Sequence, residues 1–522
     1  MNMRIKPAVL LLLTGLLPAL PALAADTEAL YQKHCAVCHG SERLGAMGPA
    51  LLPENLGRLR KGEAGKVIAD GRPATQMPAF ASQLSAAEIE ALQAYIYAPP
   101  AVSPRWDLAA IEASRIEHAD VRKLPHKPSF AADPMNLFIV VESGDHHVSI
   151  LDGDKLEPIH RFASRFALHG GPKFSPDGRF VYFASRDGWV TKYDIWNLTP
   201  VAEVRAGINT RNAAVSSDGK YVAIANYLPH SLVILDSDLK PVRILPVADK
   251  DGKKTSRVSA VYDAAPRKSF VAALKDVKEV WEISYDPKQP DIPVGMIHDF
   301  QYKEGAFIPG FLNPQRTSVD DYLDDFFFTQ DYNDLMGASR EAGRGQVINL
   351  DARRQVAELR LPGMPHLGSG ITWAWQGRTV MATPNLNEGV VSVIDTATWE
   401  NVRSIPTLGP GFFMRSHENS RYAWTDSMMS REHRDTLQVI DKEKLEVVAQ
   451  LRPMPGKTLA HVEFTRDGRY VLASLWERKA AGGALIVYDA QTLQEVKRIP
   501  MDKPVGKYNL HNKITRSEGT SH

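Results

Sequence analysis

The pattern of hydrophobic and polar positions divides the chain into two regions. In the first, over residues 25–98, apolar residues recur at helical spacing, as at Ile89 and Leu92. In the second, over residues 136–522, apolar and polar residues alternate as they do in strands. A proline-rich linker over residues 99–135 joins the two. The pattern therefore predicts a multidomain protein in which an all-α domain precedes an all-β domain.

One strand pattern recurs eight times in the second region, as alternating β-branched and apolar residues that end in aspartate. The eight aspartates are Asp152, Asp194, Asp236, Asp286, Asp351, Asp395, Asp441 and Asp489. They are spaced 42 to 65 residues apart, and periods of about 40 to 50 residues are typical of propeller blades. Asp-Gly turns, as in FSPDGRF at 174–180, suit the tight hairpins of such blades. We predict an eight-bladed β-propeller, and the single long spacing leaves seven blades as the alternative.

The first region contains the pattern for covalent haem attachment, Cys35-Ala36-Val37-Cys38-His39. Two thiols can add to the vinyl groups of a haem, and the adjacent His39 can then reach the iron. Zinc is disfavoured because only three donors cluster in this segment. A thioredoxin-like redox motif is also disfavoured, since it requires a βαβ context that the helical pattern lacks. We therefore expect haem c to be bound covalently through Cys35 and Cys38, with iron ligated by His39.

A methionine is predicted to supply the second axial ligand of this haem. The region resembles class I cytochromes c along its whole length, and Met77 of the segment QMPAF stands where small cytochromes carry their thioether ligand. A Met/His pair raises the haem potential. Met47 in the segment GAMGPAL is the rival, and ordinary core packing is the alternative role for either methionine.

The first 24 residues are typical of a secretory signal peptide. Arg4 and Lys6 provide a charged start, and an apolar run from Val9 to Leu20 follows. The small-x-small pattern at residues 22–24 suits cleavage. An uncleaved membrane anchor is the alternative, although the run is short for a bilayer span. Export together with a haem c motif predicts a periplasmic location.

Composition and charge narrow the choice of partners. The 522 residues are 44% apolar and 24% charged, and the formal net charge is +1. A balanced charge of this kind favours neither nucleic acid nor a membrane surface as a partner. The length indicates more than one domain, as the hydrophobic pattern does.

The order cytochrome c, linker and propeller resembles the cytochrome-cd1 nitrite reductase superfamily. Leu168-His169 followed by FSPDGRF, GINTRN at 207–212 and GKYN at 506–509 carry the resemblance. It implies that haem d1, a macrocycle with several carboxylates, binds non-covalently in the propeller with His169 on its iron. A structural histidine is the alternative. It also implies further residues that bind the carboxylates or line the pocket: Arg186, Arg211, Tyr227, Lys275 and Trp476.

Two differences set this sequence apart from the nitrite reductases. His366 matches one of their two distal histidines, but the stretch 307–314, where the second is expected, contains no histidine. His461 and Tyr508 add titratable groups that the nitrite reductases tend to lack. This combination resembles the sister family of dihydro-haem d1 dehydrogenases, which oxidise a propionate side chain of the precursor to acrylate and so complete haem d1.

The second resemblance implies a role for each residue. His461 and Tyr508 are the expected acid–base pair, and His366 either ligates iron opposite His169 or exchanges protons. His417 is a further candidate. Electrons are expected to pass through haem c to a small electron-acceptor protein, and the product to reach nitrite reductase in a transient complex. The alternatives are a working nitrite reductase, a haem d1 carrier without catalysis, and a propeller for another quinonoid or metal cofactor.

Overall fold

The chain is described by a computed structural model that covers residues 20–46, 48–57, 59–72, 77–102, 104–299, 304–338, 344–477 and 482–515. Most of the predicted signal peptide and the candidate ligand Met47 lie outside these residues. No helix within the described ranges is long and apolar enough to cross a membrane.

The N-terminal region folds into short helices around one small core. They are α1 (Leu20–His34), α2 (Ala36–His39), α3 (Pro53–Leu56), α4 (Lys61–Asp70) and α5 (Ala86–Tyr97). A capping box starts α5, where the Ser85 amide donates to the Glu88 carboxylate at 2.7 Å and the Ser85 hydroxyl accepts from the Glu88 amide. Tyr31, Leu92 and Ile96 bury the apolar faces of α1 and α5 against each other.

The linker runs along the propeller. It contains the short helix α6 (Leu108–Ala113), and the short strand β1 (Ile116–Glu117) follows. β1 pairs with the outer strand of a blade, with Ile116 opposite Glu203. The linker therefore forms a fifth strand of that blade.

Eight antiparallel four-stranded blades follow along the chain. Blade 1 contains β2 (Leu137–Glu142), β3 (His147–Asp152) and β4 (Glu157–Ala163); blade 2 contains β5 (Lys173–Phe174), β6 (Phe180–Ala184), β7 (Trp189–Asp194) and β8 (Thr199–Arg205); blade 3 contains β9 (Asn209–Val215), β10 (Tyr221–Leu228), β11 (Ser231–Asp236) and β12 (Pro241–Pro246). Blade 4 contains β13 (Val258–Ala264), β14 (Ser269–Leu274), β15 (Glu279–Ser284) and β18 (Pro314–Ser318), and the hairpin β16 (Ile292–Asp299) and β17 (Glu304–Ile308) precedes β18.

The remaining blades have the same plan. Blade 5 contains β19 (Asp325–Phe328), β20 (Asp334–Ala338), β21 (Gly345–Asn349) and β22 (Arg354–Leu359); blade 6 contains β23 (Ile371–Trp375), β24 (Arg378–Pro384), β25 (Val390–Asp395) and β26 (Asn401–Pro406). Blade 7 contains β27 (Met414–Arg415), β28 (Tyr422–Asp426), β29 (Leu437–Asp441) and β30 (Glu446–Leu451); blade 8 contains β31 (Thr458–Phe464), β32 (Tyr470–Trp476), β33 (Gly483–Asp489) and β34 (Glu495–Pro500).

The ring is closed by the C-terminal strand β35 (Pro504–Asn509), which pairs with β2 and completes blade 1. Tyr508 lies opposite Ile139 in this pairing, and helix α7 (Leu510–Thr515) follows. This pairing covers the edge of β2 that would otherwise be left without a neighbouring strand. The prediction of an all-α cytochrome c domain followed by an eight-bladed propeller is confirmed.

The repeated aspartates have a local structural role. Each lies at the end of the third strand of a blade or within two residues of it. The Asp152 carboxylate, for example, accepts the backbone N–H groups of Asp154 and Lys155 at 2.8 and 3.1 Å. Such a turn ends one strand and starts the next, which explains why the pattern recurs once per blade. The long spacing contains the inserted hairpin β16–β17, so the seven-bladed alternative is wrong.

Candidate active site in the propeller and candidate haem c site

Five of the predicted propeller residues lie on the innermost strands or in the loops that precede them. The first strands of neighbouring blades contact one another around the channel. His169 lies in the loop before β5 and His366 in the loop before β23. Arg211 lies within β9, His461 within β31 and Tyr508 within β35. A cavity of about 130 Å³ is lined by residues that include His169, Arg211, Asp324, Asp325, His366 and Phe412.

His169 is oriented by a backbone carbonyl. Its Nδ1 lies 2.6 Å from the Arg211 carbonyl oxygen, and because a carbonyl only accepts, Nδ1 carries the proton and Nε2 presents its lone pair. Nε2 lies 2.7 Å from Nη1 of Arg211. The guanidinium therefore lies where an iron ion bound to Nε2 would lie. Iron binding at His169 requires Arg211 to move away.

His366 has the same arrangement on another wall of the cavity. Its Nδ1 lies 2.7 Å from the Phe412 carbonyl oxygen, so Nε2 is again left as the basic nitrogen. Histidines that bind metals usually donate their second ring N–H to a carbonyl or carboxylate. Two such histidines in one cavity fit an iron-containing macrocycle, and we infer this fit from the hydrogen bonds of His169 and His366.

A continuous arc of rings connects His366 to Tyr508. The ring centroids of His366 and Phe412 are 4.1 Å apart, those of Phe412 and Phe413 4.6 Å, those of Phe413 and His461 4.6 Å, and those of His461 and Tyr508 5.0 Å. The arc spans blades 6, 7, 8 and 1. The fold therefore brings the predicted acid–base pair into contact with the wall that carries His366.

Glycines let the arc close onto the loop of His169. A methyl group on Gly171, which has a φ of +70°, would lie 3.0 Å from the Tyr508 ring, and one on Gly506 would lie 2.9 Å from the Tyr508 hydroxyl oxygen. The contact at Gly506 is closer than real Cβ atoms make, and the contact at Gly171 is unusually tight. Tyr508 is therefore packed directly against the segment that follows His169.

His461 is held in an unusual backbone conformation. Its φ is +52°, and it occupies a β-bulge where the register shifts between Ala460 and Val462. Left-handed backbone is costly for a residue other than glycine, and two polar contacts hold it. The Lys507 ammonium donates to the His461 carbonyl, and the His461 amide donates to the Asp426 carboxylate at 3.4 Å. The bulge re-aims the side chain relative to a regular strand.

The His461 ring is an almost fully buried, neutral base. It is 2% exposed, and its Nε2 has no hydrogen-bond partner within the described part of the chain. Burial lowers the pKa of His461 well below its usual value, and the neighbouring cations Lys507 and Arg415 lower that pKa further. Lys507 Nζ lies 3.5 Å from Nδ1. At neutral pH the imidazole is therefore unprotonated.

Tyr508 is the complementary group, because it stays protonated. Burial raises the pKa of Tyr508 to about 12, with Arg415 acting in the opposite direction. Burial also raises the pKa of Asp426 to about 6, although four backbone N–H groups oppose the shift. In such a pair the neutral imidazole can accept a proton, and the protonated phenol can donate a hydrogen bond.

The haem c motif forms a compact turn. Cys35 immediately precedes α2, which contains Cys38 and His39. The Nδ1 of His39 lies 2.8 Å from the Pro49 carbonyl oxygen, so its Nε2 is the nitrogen left for a metal. A methyl group on Gly48 would lie 2.7 Å from the His39 ring, and only glycine allows this loop to approach so closely. The donor set of two thiols and one oriented imidazole fits haem c.

Comparisons with known proteins agree with both halves of this description. The family described as "Cytochrome C oxidase, cbb3-type, subunit III" matches residues 22–96, and the family described as "Cytochrome D1 heme domain" matches residues 132–513. A protein of Pseudomonas aeruginosa named "Dihydro-heme d1 dehydrogenase" is 57% identical over 499 residues, which are 95% of this chain and 96% of that protein. The chain belongs to the dihydro-haem d1 dehydrogenases. It is therefore an oxidoreductase with sites for haem c and haem d1, and the predicted resemblance is confirmed.

Other relatives of this dehydrogenase share its fold. A solved structure, "Dihydro-heme d1 dehydrogenase NirN in complex with DHE", superposes with a TM-score of 0.86 at 57% identity and covers 94% of this chain and 99% of its own. A nitrite reductase of Stutzerimonas stutzeri is 25% identical over 549 residues, which are 95% of this chain and 94% of its own length. A "Protein NirF" from the same organism is 28% identical over 376 residues, which are 71% of this chain and 90% of that protein.

Four predicted pocket residues are not among those that line the cavity. Arg186 is in the β6–β7 turn, where its amide donates to the Ala167 carbonyl at 3.1 Å, next to the loop of His169. Lys275 is paired with the cavity residue Asp324. The other two, Tyr227 and Trp476, lie under the Arg257 guanidinium and at the end of β32 respectively. Their role in binding carboxylates stays a prediction, and so does ligation by Met77, which packs partly buried in the cytochrome core.

Sequence reasoning missed the cations around the predicted acid–base pair, His461 and Tyr508. Lys507 and Arg415 are buried, at 0% and 3% exposure, and Glu463 lies beside Arg415 at 3.9 Å. Lys507 stands in the GKYN motif directly before Tyr508, which is the signal that was available. His417, by contrast, packs between blades 7 and 8 with its Nε2 3.2 Å from the Arg466 carbonyl oxygen, and this position indicates a structural role.

Proposed function

We propose that the protein removes two hydrogens from one propionate side chain of dihydro-haem d1 and so forms the acrylate of haem d1. A CH₂–CH₂ unit becomes CH=CH, with release of two protons and two electrons. The observation that carries the proposal is the pairing of a buried, neutral His461, whose Nε2 has no partner among the described residues, with a protonated Tyr508 5.0 Å away. This pair adjoins a cavity with two histidines oriented as metal ligands.

The substrate macrocycle would be held by its iron and its carboxylates. His169 and His366 would ligate the iron through Nε2 from two walls of the cavity. Arg211 would then leave His169 and bind a carboxylate of the substrate, for which a planar guanidinium is well shaped. Arg186 would bind a second carboxylate from the same side. Ligation of the iron by His169 would offset the loss of the contact between Arg211 and His169.

The proton chemistry follows from the different charge states of the pair. His461 would accept the two protons that leave carbon one after the other, because its low pKa keeps Nε2 unprotonated and lets it pass the first proton to solvent before it accepts the second. Tyr508 would donate a hydrogen bond to the propionate carboxylate and stabilise the negative charge that develops there. Lys507 would hold the His461 backbone in position through its bond to the carbonyl. The buried surroundings strengthen each of these interactions.

The electrons would leave through the cytochrome domain. Haem c, attached covalently at Cys35 and Cys38, would accept them one at a time when bound. Two transfers would complete each turnover, and a small acceptor protein would reoxidise the domain. We further propose that the signal segment at 1–24 directs the protein to the periplasm, where a transient complex with nitrite reductase receives the product.

The deciding experiment loads the purified protein with dihydro-haem d1 under an added oxidant and follows product mass and the visible spectrum. We expect a mass loss of two hydrogens, with reduction of haem c during the reaction. Stable binding without a change in mass would support a carrier instead. Nitric oxide from added nitrite would support a nitrite reductase.

A further inference from the structure

One buried arginine bonds both domains of the molecule. Arg205 ends the outer strand β8 of blade 2 and is 6% exposed. Its Nε donates to the Asp187 carbonyl at 2.9 Å within its own blade. Its two terminal nitrogens reach the cytochrome domain, where they donate to the carbonyls of Leu44 and Gly45. A guanidinium stays charged even when buried, so these are charge-assisted bonds between domains.

A tryptophan from the linker completes the contact. The Arg205 guanidinium carbon lies 4.8 Å from the centroid of the Trp106 ring, within the range of a cation–π interaction. The indole N–H of Trp106 donates to the Arg205 carbonyl at 2.7 Å. Cytochrome, linker and propeller therefore meet at a single side chain. We call Arg205 and Trp106 the interdomain clamp.

The clamped loop is the one that orients the haem c histidine. Arg205 binds the loop at residues 44–45, and four residues later the Pro49 carbonyl accepts from Nδ1 of His39 at 2.8 Å. The next part of the loop packs on the propeller, because Ala50 and Leu52 form a buried apolar cluster with Ile208. The loop that Arg205 binds therefore also contacts the segment that begins blade 3.

The contact continues to the other predicted iron ligand. Ile208 immediately precedes β9, and three residues further along the chain the Arg211 carbonyl accepts from Nδ1 of His169 at 2.6 Å. Asn55 of the cytochrome domain adds a hydrogen bond of 3.5 Å to the Ile208 carbonyl. An unbroken series of bonds and contacts thus connects His39 to His169 through the interface.

We propose that the interdomain clamp positions the cytochrome domain for electron transfer. Arg205 and Trp106 hold the haem c loop against the segment that orients His169, so that electrons cross between the two haem sites in one fixed geometry. Both act as positioning residues, since neither touches a reacting atom. The proposal rests on the proposed function for its electron donor, but the docking itself is independent of any reaction.

Arg205→Met tests the clamp, with Arg165→Met as a matched control. Arg165 also stacks on a tryptophan of blade 2, at 3.9 Å from the Trp189 ring, but its ion pair is to Glu203 within the propeller. Small-angle X-ray scattering on the chain with haem c but without dihydro-haem d1 measures docking. Removal of a buried cation–π contact and its charge-assisted bonds should lower the ratio of docked to undocked forms about tenfold or more, seen as a larger radius of gyration.

Stopped-flow mixing with dihydro-haem d1 measures the consequence. We expect haem c in Arg205→Met to be reduced about tenfold more slowly or worse, while dihydro-haem d1 binding and the haem c spectrum are unchanged. Arg205→Lys should recover part of the rate, since an ammonium can make one of the carbonyl bonds. Arg165→Met should match the wild type in both measurements.

A compact Arg205→Met with a wild-type rate of haem c reduction would overturn the clamp. If Arg205→Met does not fold, Trp106→Leu at a half-buried linker position provides the same two measurements, and wild-type values there would overturn it equally. If the wild type itself does not reduce haem c with dihydro-haem d1, the proposed function fails. The scattering comparison still decides the docking role in that case.

Discussion

His169 and His366 lie on the cavity wall with their Nδ1 protons given to backbone carbonyls, whereas His461 lies 2% exposed with a cation beside its Nδ1. The first two are half-buried and keep a basic Nε2 that can bind metal. The third has its pKa lowered by burial and by Lys507 and Arg415. The same residue type therefore has two different electrostatic environments, because both the burial of the ring and the partner of Nδ1 differ.

The comparison teaches that surroundings assign the role of each histidine. A carbonyl fixes the tautomer without changing the charge of the ring, which suits ligation. Burial, reinforced by the neighbouring Lys507 and Arg415, instead disfavours the protonated form, which suits a base. We expect substitutions on the two sides of the pocket to have separable effects, with binding lost on one side and rate lost on the other.

The largest expected effect is from His461→Gln. Loss of a positioned base should slow acrylate formation by roughly 10²–10⁴, while dihydro-haem d1 still binds. Single-turnover product mass and equilibrium titration measure the two quantities. His417→Gln is the matched control, since His417 is also fully buried but packs between blades 7 and 8. A wild-type rate in His461→Gln would show that His461 is not the base, and the contrast with His169 and His366 would then be wrong.

Tyr508→Phe should have a similar or smaller effect, about 10²-fold on the rate. The variant keeps the ring that packs against His461 and Gly171 and removes only the hydroxyl. Burial raises the pKa of Tyr508 to about 12. The wild-type rate should therefore not fall through ionisation of this residue until the pH approaches that value. A full rate in the variant would show that Tyr508 only packs.

On the other side of the pocket, His169→Ala and His366→Ala should weaken dihydro-haem d1 binding by at least about tenfold, as changes at metal-site histidines do. The visible spectrum of the bound macrocycle should also change, because an axial ligand is lost. Titration followed by absorbance measures both effects. If one variant retains wild-type affinity and spectrum, the corresponding histidine does not ligate the iron.

The smallest expected effect concerns stability. His461 has a lowered pKa in the folded chain and an ordinary one near 6.5 when unfolded. Below pH 6.5 the unfolded chain therefore binds a proton that the folded chain does not, and stability is lost as the pH falls, by at most about 1.4 kcal/mol per pH unit. His461→Gln lacks this loss, so its Tm relative to wild type should rise between pH 7.5 and pH 5. A constant difference would mean that His461 titrates normally.

Prediction from sequence succeeded where the information is local. The repeated aspartates end their strands through turns that involve only the next two or three residues, as at Asp152, so eight copies predicted eight blades. The haem c motif is equally local. The contact of Lys507 with His461 spans 46 residues, and that of Arg205 with Leu44 spans 161. No periodicity or motif encodes such pairs.

The amino-acid sequence by itself determined the two domains, the haem c motif, the eight-bladed plan and, through family resemblance, the candidate histidines. Each of these depends on neighbouring residues or on matched motifs. Only the tertiary structure decided that Arg211 covers Nε2 of His169, that His461 is a neutral base, and that one arginine joins cytochrome and propeller. Charge state and docking depend on burial and on distant partners, and those exist only once the ring of blades has closed.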